Sequence, residues 1–288
     1  MIAFLQAWLN GLLTGSLYAL IGMGLALIFG VMRIVNFAHG AFLMVGMYVV
    51  YVLFEHFAIN PYLGFIAAGV VLFLFGRLIY RFLIRPLRDR SDFMQILMTT
   101  GIALILTDGA QLVFGANYRQ TNIALVNRTL RCGPFAATAA SVLSFAIAAV
   151  LIAGLYLLVT RTATGQALRA IAQNREVAPL MGIDVTRIQG FSFALGIALA
   201  GVAGGLLLPV LYLFPSVGED YTLKAFVMVV LGGMGSIAGA ALGGLALGVS
   251  ESLTSLYLGN QWALAVDFVL FLLVLSLKPS GILGRQRA

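Results

Sequence analysis

Charge is what this sequence has least of. Asp, Glu, Lys and Arg make up only 9% of its 288 residues, against about 25% in a soluble domain, so the chain cannot cover a water-facing surface of its own. Cysteine is almost missing: Cys132 stands alone, which excludes an internal disulfide and any multi-cysteine metal site. The two histidines, His39 and His56, sit at no ligand spacing, so no metal site is expected and His39 reads first as a hydrogen-bonded packing residue. There is no G-x-x-x-x-G-K-[ST] phosphate loop, no H-E-x-x-H and no G-x-S-x-G elbow. ATP binding by the first route, zinc peptidase chemistry and serine hydrolase chemistry are thereby excluded, and no catalytic residue is expected. No Lys or Arg precedes Arg33, so the basic start of a cleavable signal peptide is lacking and the first apolar segment is expected to be retained.

What is present is hydrophobicity, 61% of residues with a mean hydropathy of +1.04. Runs such as "FIAAGVVLFLFG", "LSFAIAAVLIAGLYLLV" and "FVLFLLVLSL" lie within segments of about 20 residues, the length a bilayer demands. A membrane β-barrel would show short alternating segments instead. The expected fold is therefore all-α, a polytopic helical bundle of about eight membrane segments in one domain over 1–288. Spans are expected near 9–30, 38–56, 62–84, 93–114, 138–160 and 188–212, with a less regular region at 222–250 and a last span near 261–278. The 17 Lys+Arg outnumber the 10 Asp+Glu. Basic cytoplasmic loops account for that excess better than nucleic acid, which is not expected as a partner.

Those basic residues orient the chain. Arg81, Arg85, Arg88 and Arg90 follow the third span, and Arg161, Arg169, Arg175 and Arg187 follow the fifth. With both loops inside, two spans lie between them and the parity agrees. If 222–250 were one span, Lys278, Arg285 and Arg287 would fall outside. If it enters and leaves from the outer side, thirteen of the 17 basic residues lie inside and only Arg119, Arg128, Arg131 and Lys224 lie outside. The re-entrant arrangement is preferred. Its glycines support it: Gly232, Gly233 and Gly235 break the segment, and broken backbone at membrane depth survives only where protein buries it or water lines it. Gly235, Gly239 and Gly243 also form a small-xxx-small ridge, so close helix packing fits the same residues.

Polar groups inside spans are expensive and so are functional candidates. Asp108 and Gln111 lie one turn apart in the fourth span, Asp267 in the last, and "MRIVNFAHG" gathers Arg33, Asn36 and His39 before Gly40. Each also has a structural reading, as a cap, a pairing or a packing group. The stretch "RTATGQALRAIAQNREVAPLMGIDVTRIQG", residues 161–190, is the one compact polar insertion. Drawn as a helix from about 166, it sets Gln166, Arg169, Gln173 and Glu176 on one stripe and Leu168, Ile171 and Ala172 on another face. Thr164 is placed to cap its start and Gly182 to stop it, with a bend at Asn174 and Pro179. A helix this short is marginal alone, so it docks either on its own bundle or into a groove of a cytoplasmic protein.

The segment "TGQALRAIAQNREVAPLMGIDVTRI" resembles the cytoplasmic coupling loop in permease subunits of ABC importers for branched-chain amino acids. "NGLLTGSLYALIGMGLALIFGVMRIVNFAHGAFLMVG", "AFVMVVLGGMGSIAGAALGGLALGVSESL" and "KPSGILGR" resemble the same family in order, and the resemblance covers essentially the whole chain. It fits the shorter of the two paralogous permeases. Val35 stands where the family has isoleucine. The resemblance implies a multi-pass protein of the bacterial inner membrane, paired as a heterodimer with a paralogous permease. It also implies two ATPase subunits that bind the ATP and Mg, and a periplasmic substrate-binding protein, with no cofactor on this chain. It assigns 161–187 to coupling, through Gly165, Gln166, Arg169, Ala170, Ala172, Asn174, Ala178 and Gly182. The translocation pathway would include Asn36, His39, Gly40, Asp108, Gly232, Gly233 and Gly235. The substrate expected is a branched-chain or related hydrophobic amino acid, although such permeases also serve amides, urea and aromatic acids. The alternative is a proton-coupled secondary transporter using Asp108 or Asp267. It lacks two comparable repeats here, and a channel lacks a charged or carbonyl-rich filter motif.

Overall fold

The computed structural model describes residues 1–87, 90–121, 123–278 and 280–283. Its long helices are α1 (Ile2–Met32), α2 (His39–Phe57), α3 (Pro61–Ile79), α4 (Asp92–Phe114) and α5 (Ala139–Arg161). They continue with α6 (Ala163–Gln173), α7 (Val185–Leu207), α8 (Val217–Gly232), α9 (Ile237–Tyr257) and α10 (Ala263–Leu277). A π-helical turn, Tyr80–Ile84, carries α3 on to Leu87. A two-stranded hairpin, β1 (Thr129–Cys132) and β2 (Phe135–Thr138), pairs Thr129 with Thr138. Among the described residues, eight helices are long and apolar enough to cross a membrane. The fold is the all-α polytopic bundle the composition demands.

Local chemistry sets the helix ends. α1 runs 31 residues with no proline or charge and stops where Arg33 turns left-handed (φ 58°) and donates its N–H to the Phe29 carbonyl at 2.8 Å. Asn60 caps α3 by accepting the Tyr62 N–H at 2.9 Å, with Pro61 in the first turn, where its missing N–H costs nothing. At the centre are α1 and α7, whose spans are 83% and 89% buried, whereas that of α10 is 6% buried and forms the periphery. α9 runs antiparallel to α1 in backbone contact. A Cβ on Gly248 would stand 2.5 Å from the Gly15 Cα, so only small residues permit this crossing. In lipid, where apolar burial drives little, such close approach is what holds helices together.

The broken region differs in detail from the expected 222–250. α7 ends at Leu207, not 212, and residues 208–216 are largely irregular. α8 then begins beside the start of α2, with Gly218 against Gly40 and Tyr221 against the Tyr18 ring at 6.1 Å. It ends near Gly30, in the last turn of α1. The turn at Gly233 (φ 103°) and Gly235 (φ 86°) reverses the chain into α9. α8 is thus a 16-residue half-element entered from within the bundle, and α9 is a complete span. The glycine ridge of α9 packs on α8, with Gly239 against Gly232 and Gly243 against Met228. The carbonyls left open by the break are satisfied by the tail: Ile282 N–H donates to Leu231 O at 2.8 Å and Leu283 N–H to Gly232 O at 3.1 Å.

Two ends of the bundle follow. Gln6 donates to the Ala136 carbonyl at 2.7 Å, so the start of α1 and the hairpin share one end. Val31, Met32 and Arg33 share a cavity with Ile171 and Arg175, so the end of α1 and α6 share the other. The break after α8 and residues 280–283 lie at the α6 end, the re-entrant arrangement that the basic residues favour. Arg88, Arg285, Gln286 and Arg287 lie outside the described residues. Lys224 departs from the expectation. It does not lie in an outer loop but inside the bundle, and the reason is a largely withdrawn carboxylate partner on α9, Glu251.

Candidate functional site

α6 follows α5 across a single residue. Thr162, rather than Thr164, is the cap: its hydroxyl accepts the Gly165 N–H at 3.0 Å and donates to the Leu158 carbonyl at 2.6 Å. Gly165 is buried against the Leu158 and Val159 carbonyls, where any side chain would overlap backbone. The helix therefore folds tightly back on the end of α5. Leu168, Ile171 and Ala178 face the bundle. Gln166, Arg169, Gln173 and Glu176 are all exposed, as the 3–4–3 spacing predicts, while Ala170 and Ala172 are half-buried. Arg169 reaches the Thr160 carbonyl at 3.4 Å. Asn174 ends α6, its Oδ1 accepting the N–H groups of Glu176 (2.9 Å) and Val177 (3.2 Å), and Gly182 (φ 77°) closes the 3₁₀ turn Ala178–Met181.

The apex of that turn is what sequence reasoning missed. Val177, Leu180 and Met181 are exposed, the last two at 83% and 76%. In a chain this apolar such letters read as span or core. The capped ends and the Pro179–Gly182 turn were the available signal that they sit at a tip.

The residues proposed for the pathway occupy three places. Asn36, His39 and Gly40 are buried where α2 begins against α1 and α8. Asn36 Oδ1 accepts the Ala38 N–H at 3.1 Å, and His39 Nε2 donates to the Ile21 carbonyl at 3.0 Å. Gly40 donates to Thr222 Oγ1 at 3.0 Å, and a side chain on it would overlap the Gly218 carbonyl. Gly232, Gly233 and Gly235 form the break. Asp108 joins neither group: it is exposed on α4, as is Gln111 one turn on.

A second polar assembly lies inside the bundle. Lys224 of α8 pairs with Glu251 of α9 at 2.6 Å and donates to the Tyr18 hydroxyl at 3.1 Å. Tyr18 in turn donates to Glu251 Oε2 at 2.7 Å. Asp267, almost fully buried on α10, faces Glu251 and Lys224, and neither of its oxygens has a hydrogen-bond partner among the described residues. Ionised, the three groups sum to one negative charge, which a proton or a bound cation would neutralise. Asp267 was legible as an intramembrane carboxylate. Lys224 and Glu251 were not, because each reads as the edge of an irregular region.

Two adjoining cavities lead toward this assembly from the hairpin end. The outer, about 340 Å³, is lined by Asn10, Thr14, Thr129, Thr138 and Ser141, among others. The inner, about 100 Å³, shares Thr14 and Ser141 with it, narrows between Leu13, Leu17 and Leu207, and is lined by Tyr18 and Tyr221. The path is polar at its mouth and aliphatic within.

The family described as branched-chain amino acid transport system, permease component, matches residues 7–275. The high-affinity branched-chain amino acid transport system permease protein LivH of Salmonella typhimurium is 34% identical, over 98% of this chain and 96% of its own. From Methanocaldococcus jannaschii, the probable branched-chain amino acid transport permease protein LivH is 34% identical over 96% of this chain and 91% of its own. The probable permease protein LivM of that organism is 32% identical, over 43% and 41% respectively. No solved structure matches.

Proposed function

Because the chain belongs to the permease family of branched-chain amino acid transport systems, we propose that it is a membrane subunit of an ATP-driven importer. It resides in the bacterial inner membrane, with the α6 end cytoplasmic. A paralogous permease completes the pathway as a heterodimer, in line with the LivH and LivM relatives that one organism carries. Two ABC ATPase subunits hold the ATP and Mg and grip α6, so this chain needs no cofactor of its own. A periplasmic binding protein delivers substrate at the hairpin end. The cargo is a branched-chain or related hydrophobic amino acid, whose side chain suits the aliphatic neck between Leu13, Leu17 and Leu207.

One observation carries the reading: α6 presents an exposed polar stripe and the 3₁₀ turn after it an apolar tip, and the two together join one span to the next. Thr162 and Gly165 lock its start to α5, and the Ala178–Met181 turn that follows it leads on to α7, which Asp184 caps by accepting the Arg187 N–H at 3.0 Å. A displacement of α6 is therefore passed to α5 directly and to α7 through that turn. ATP drives alternating access only through its differential affinity for the two states of the assembly, and α6 with its turn is the part that carries that difference into the bundle.

Buried Asp267 favours a second reading, a proton-coupled carrier that uses it or Asp108. Uptake of labelled leucine and phenylalanine into proteoliposomes separates the two. With both permeases, the ATPases and the binding protein present, uptake that requires ATP and the binding protein supports the importer. Uptake by this chain alone on a proton gradient overturns it.

A further inference from the structure

At the α6 end, the last turns of α3 and the start of α7 enclose a cavity of about 700 Å³. Arg77, Arg81 and Arg85 line it from one side and Arg187 from the other. In a regular α-helix, position i+8 drifts roughly 80° round the axis from position i. The wider π-turn at Tyr80–Ile84 takes back part of that drift and lets Arg85 share a cavity with Arg77 and Arg81. The seam behind it is fixed by Tyr80, whose ring packs on Gly190 and whose hydroxyl reaches Gln189 Oε1 at 3.5 Å.

None of the four guanidinium groups pairs with a carboxylate among the described residues. Asp184 also lines the cavity, but its Oδ1 already accepts the Arg187 N–H. The lining thus carries four fixed positive charges against one negative. Its wall is the opposite in character: Leu74, Leu78 and Phe82 are all more than half exposed, on a helix whose span is largely unburied. An apolar wall that runs into a cluster of four guanidiniums at the end of a span matches an amphiphile with an anionic head. Neither a soluble anion nor an acidic peptide has a use for the wall.

We propose that this cavity binds the phosphodiester headgroup of an anionic glycerophospholipid, with its acyl chains against Leu74, Leu78 and Phe82. Guanidinium is suited to phosphate oxygens because its donors form a planar fork, and basic pockets between spans on the cytoplasmic side are where such heads bind. A zwitterionic head brings its own cation among the four arginines and is disfavoured.

The test is native mass spectrometry of the full chain in detergent, with phosphatidylglycerol, cardiolipin, phosphatidylcholine or inorganic phosphate added. Phosphatidylglycerol and cardiolipin are expected to be retained at least tenfold better than phosphatidylcholine. Each arginine is expected to contribute about fivefold, so R77Q/R81Q/R85Q should lose retention about a hundredfold. Arg169→Gln, on α6, should leave it unchanged. Equal retention of phosphatidylcholine, undiminished binding by the triple variant, or displacement by millimolar inorganic phosphate each overturns the proposal. So does release of the lipid when the ATPase subunits bind, which would make protein the occupant. If the triple variant does not fold, the wild-type lipid preference and the retention of Arg81→Lys, which keeps the charge, decide the matter.

Discussion

At the scale of single residues, the Lys224–Glu251 pair is where a substitution should cost most. Both groups are largely withdrawn from water, and their partners Tyr18 and Asp267 are buried too. Removing one member of a buried pair leaves an uncompensated charge, at a cost of about 3–5 kcal/mol, whereas removing both is often nearly neutral. Lys224→Met should therefore lower the apparent melting temperature in detergent and reduce the amount of protein in the membrane. K224M/E251Q should recover most of the loss. A single variant as stable as the parent, or a double variant worse than the single, would show that the pair does not hold α8 to α9. Gly40 gives a sharper steric case. Its Cα lies so close to the Gly218 backbone that Gly40→Val must separate α2 from α8, and the fraction of protein surviving detergent extraction should fall.

At the scale of elements, α6 and the 3₁₀ turn after it offer two classes of surface residue with separable roles. Arg169 is exposed and donates to the Thr160 carbonyl, and Leu180 is exposed at the tip. Arg169→Glu and Leu180→Asp should each leave folding within about 0.5 kcal/mol, as exposed substitutions do, yet abolish ATP-dependent uptake. Normal uptake by both would remove α6 from the coupling role. Much of this element was legible in sequence because polar residues at 3–4–3 spacing in an apolar chain have no other home than a solvated face. Its cap was misplaced by two residues because Thr162 and Thr164 are chemically equal as caps. Only the sharp turn at buried Gly165 decides between them. The broken element shows the other limit. Gly232, Gly233 and Gly235 marked the break correctly, but glycine cannot tell which arm is short. That depends on where α7 stops, and on the 280–283 segment closing the α8 carbonyls, a contact between residues some fifty positions apart. The "KPSGILGR" element thereby acquires a structural reason.

At the scale of the whole molecule, the chain by itself leaves one span unfinished. The span of α4 is only 17% buried, and Asp108 and Gln111 both lie on its open side. Beside them Gly101 and Gly109 have no atom within 4 Å of where a side chain would begin. A carboxylate near the middle of a lipid-facing span costs about 3 kcal/mol, and even nearer the end it gains from a polar partner. Glycines with open space in front of them suit the close approach of another helix. This face is therefore where the second permease of the proposed pair is expected to pack. With Cys132 first replaced, Gln111→Cys should form a disulfide or a short bifunctional cross-link to a cysteine-substituted partner permease. Gly101→Leu should leave this chain folded, since nothing obstructs the new side chain, but lower the yield of the permease pair several-fold on size-exclusion chromatography. A Gln111→Cys that reacts only with lipid-soluble thiol probes, together with an unaffected pair in Gly101→Leu, would place the partner elsewhere.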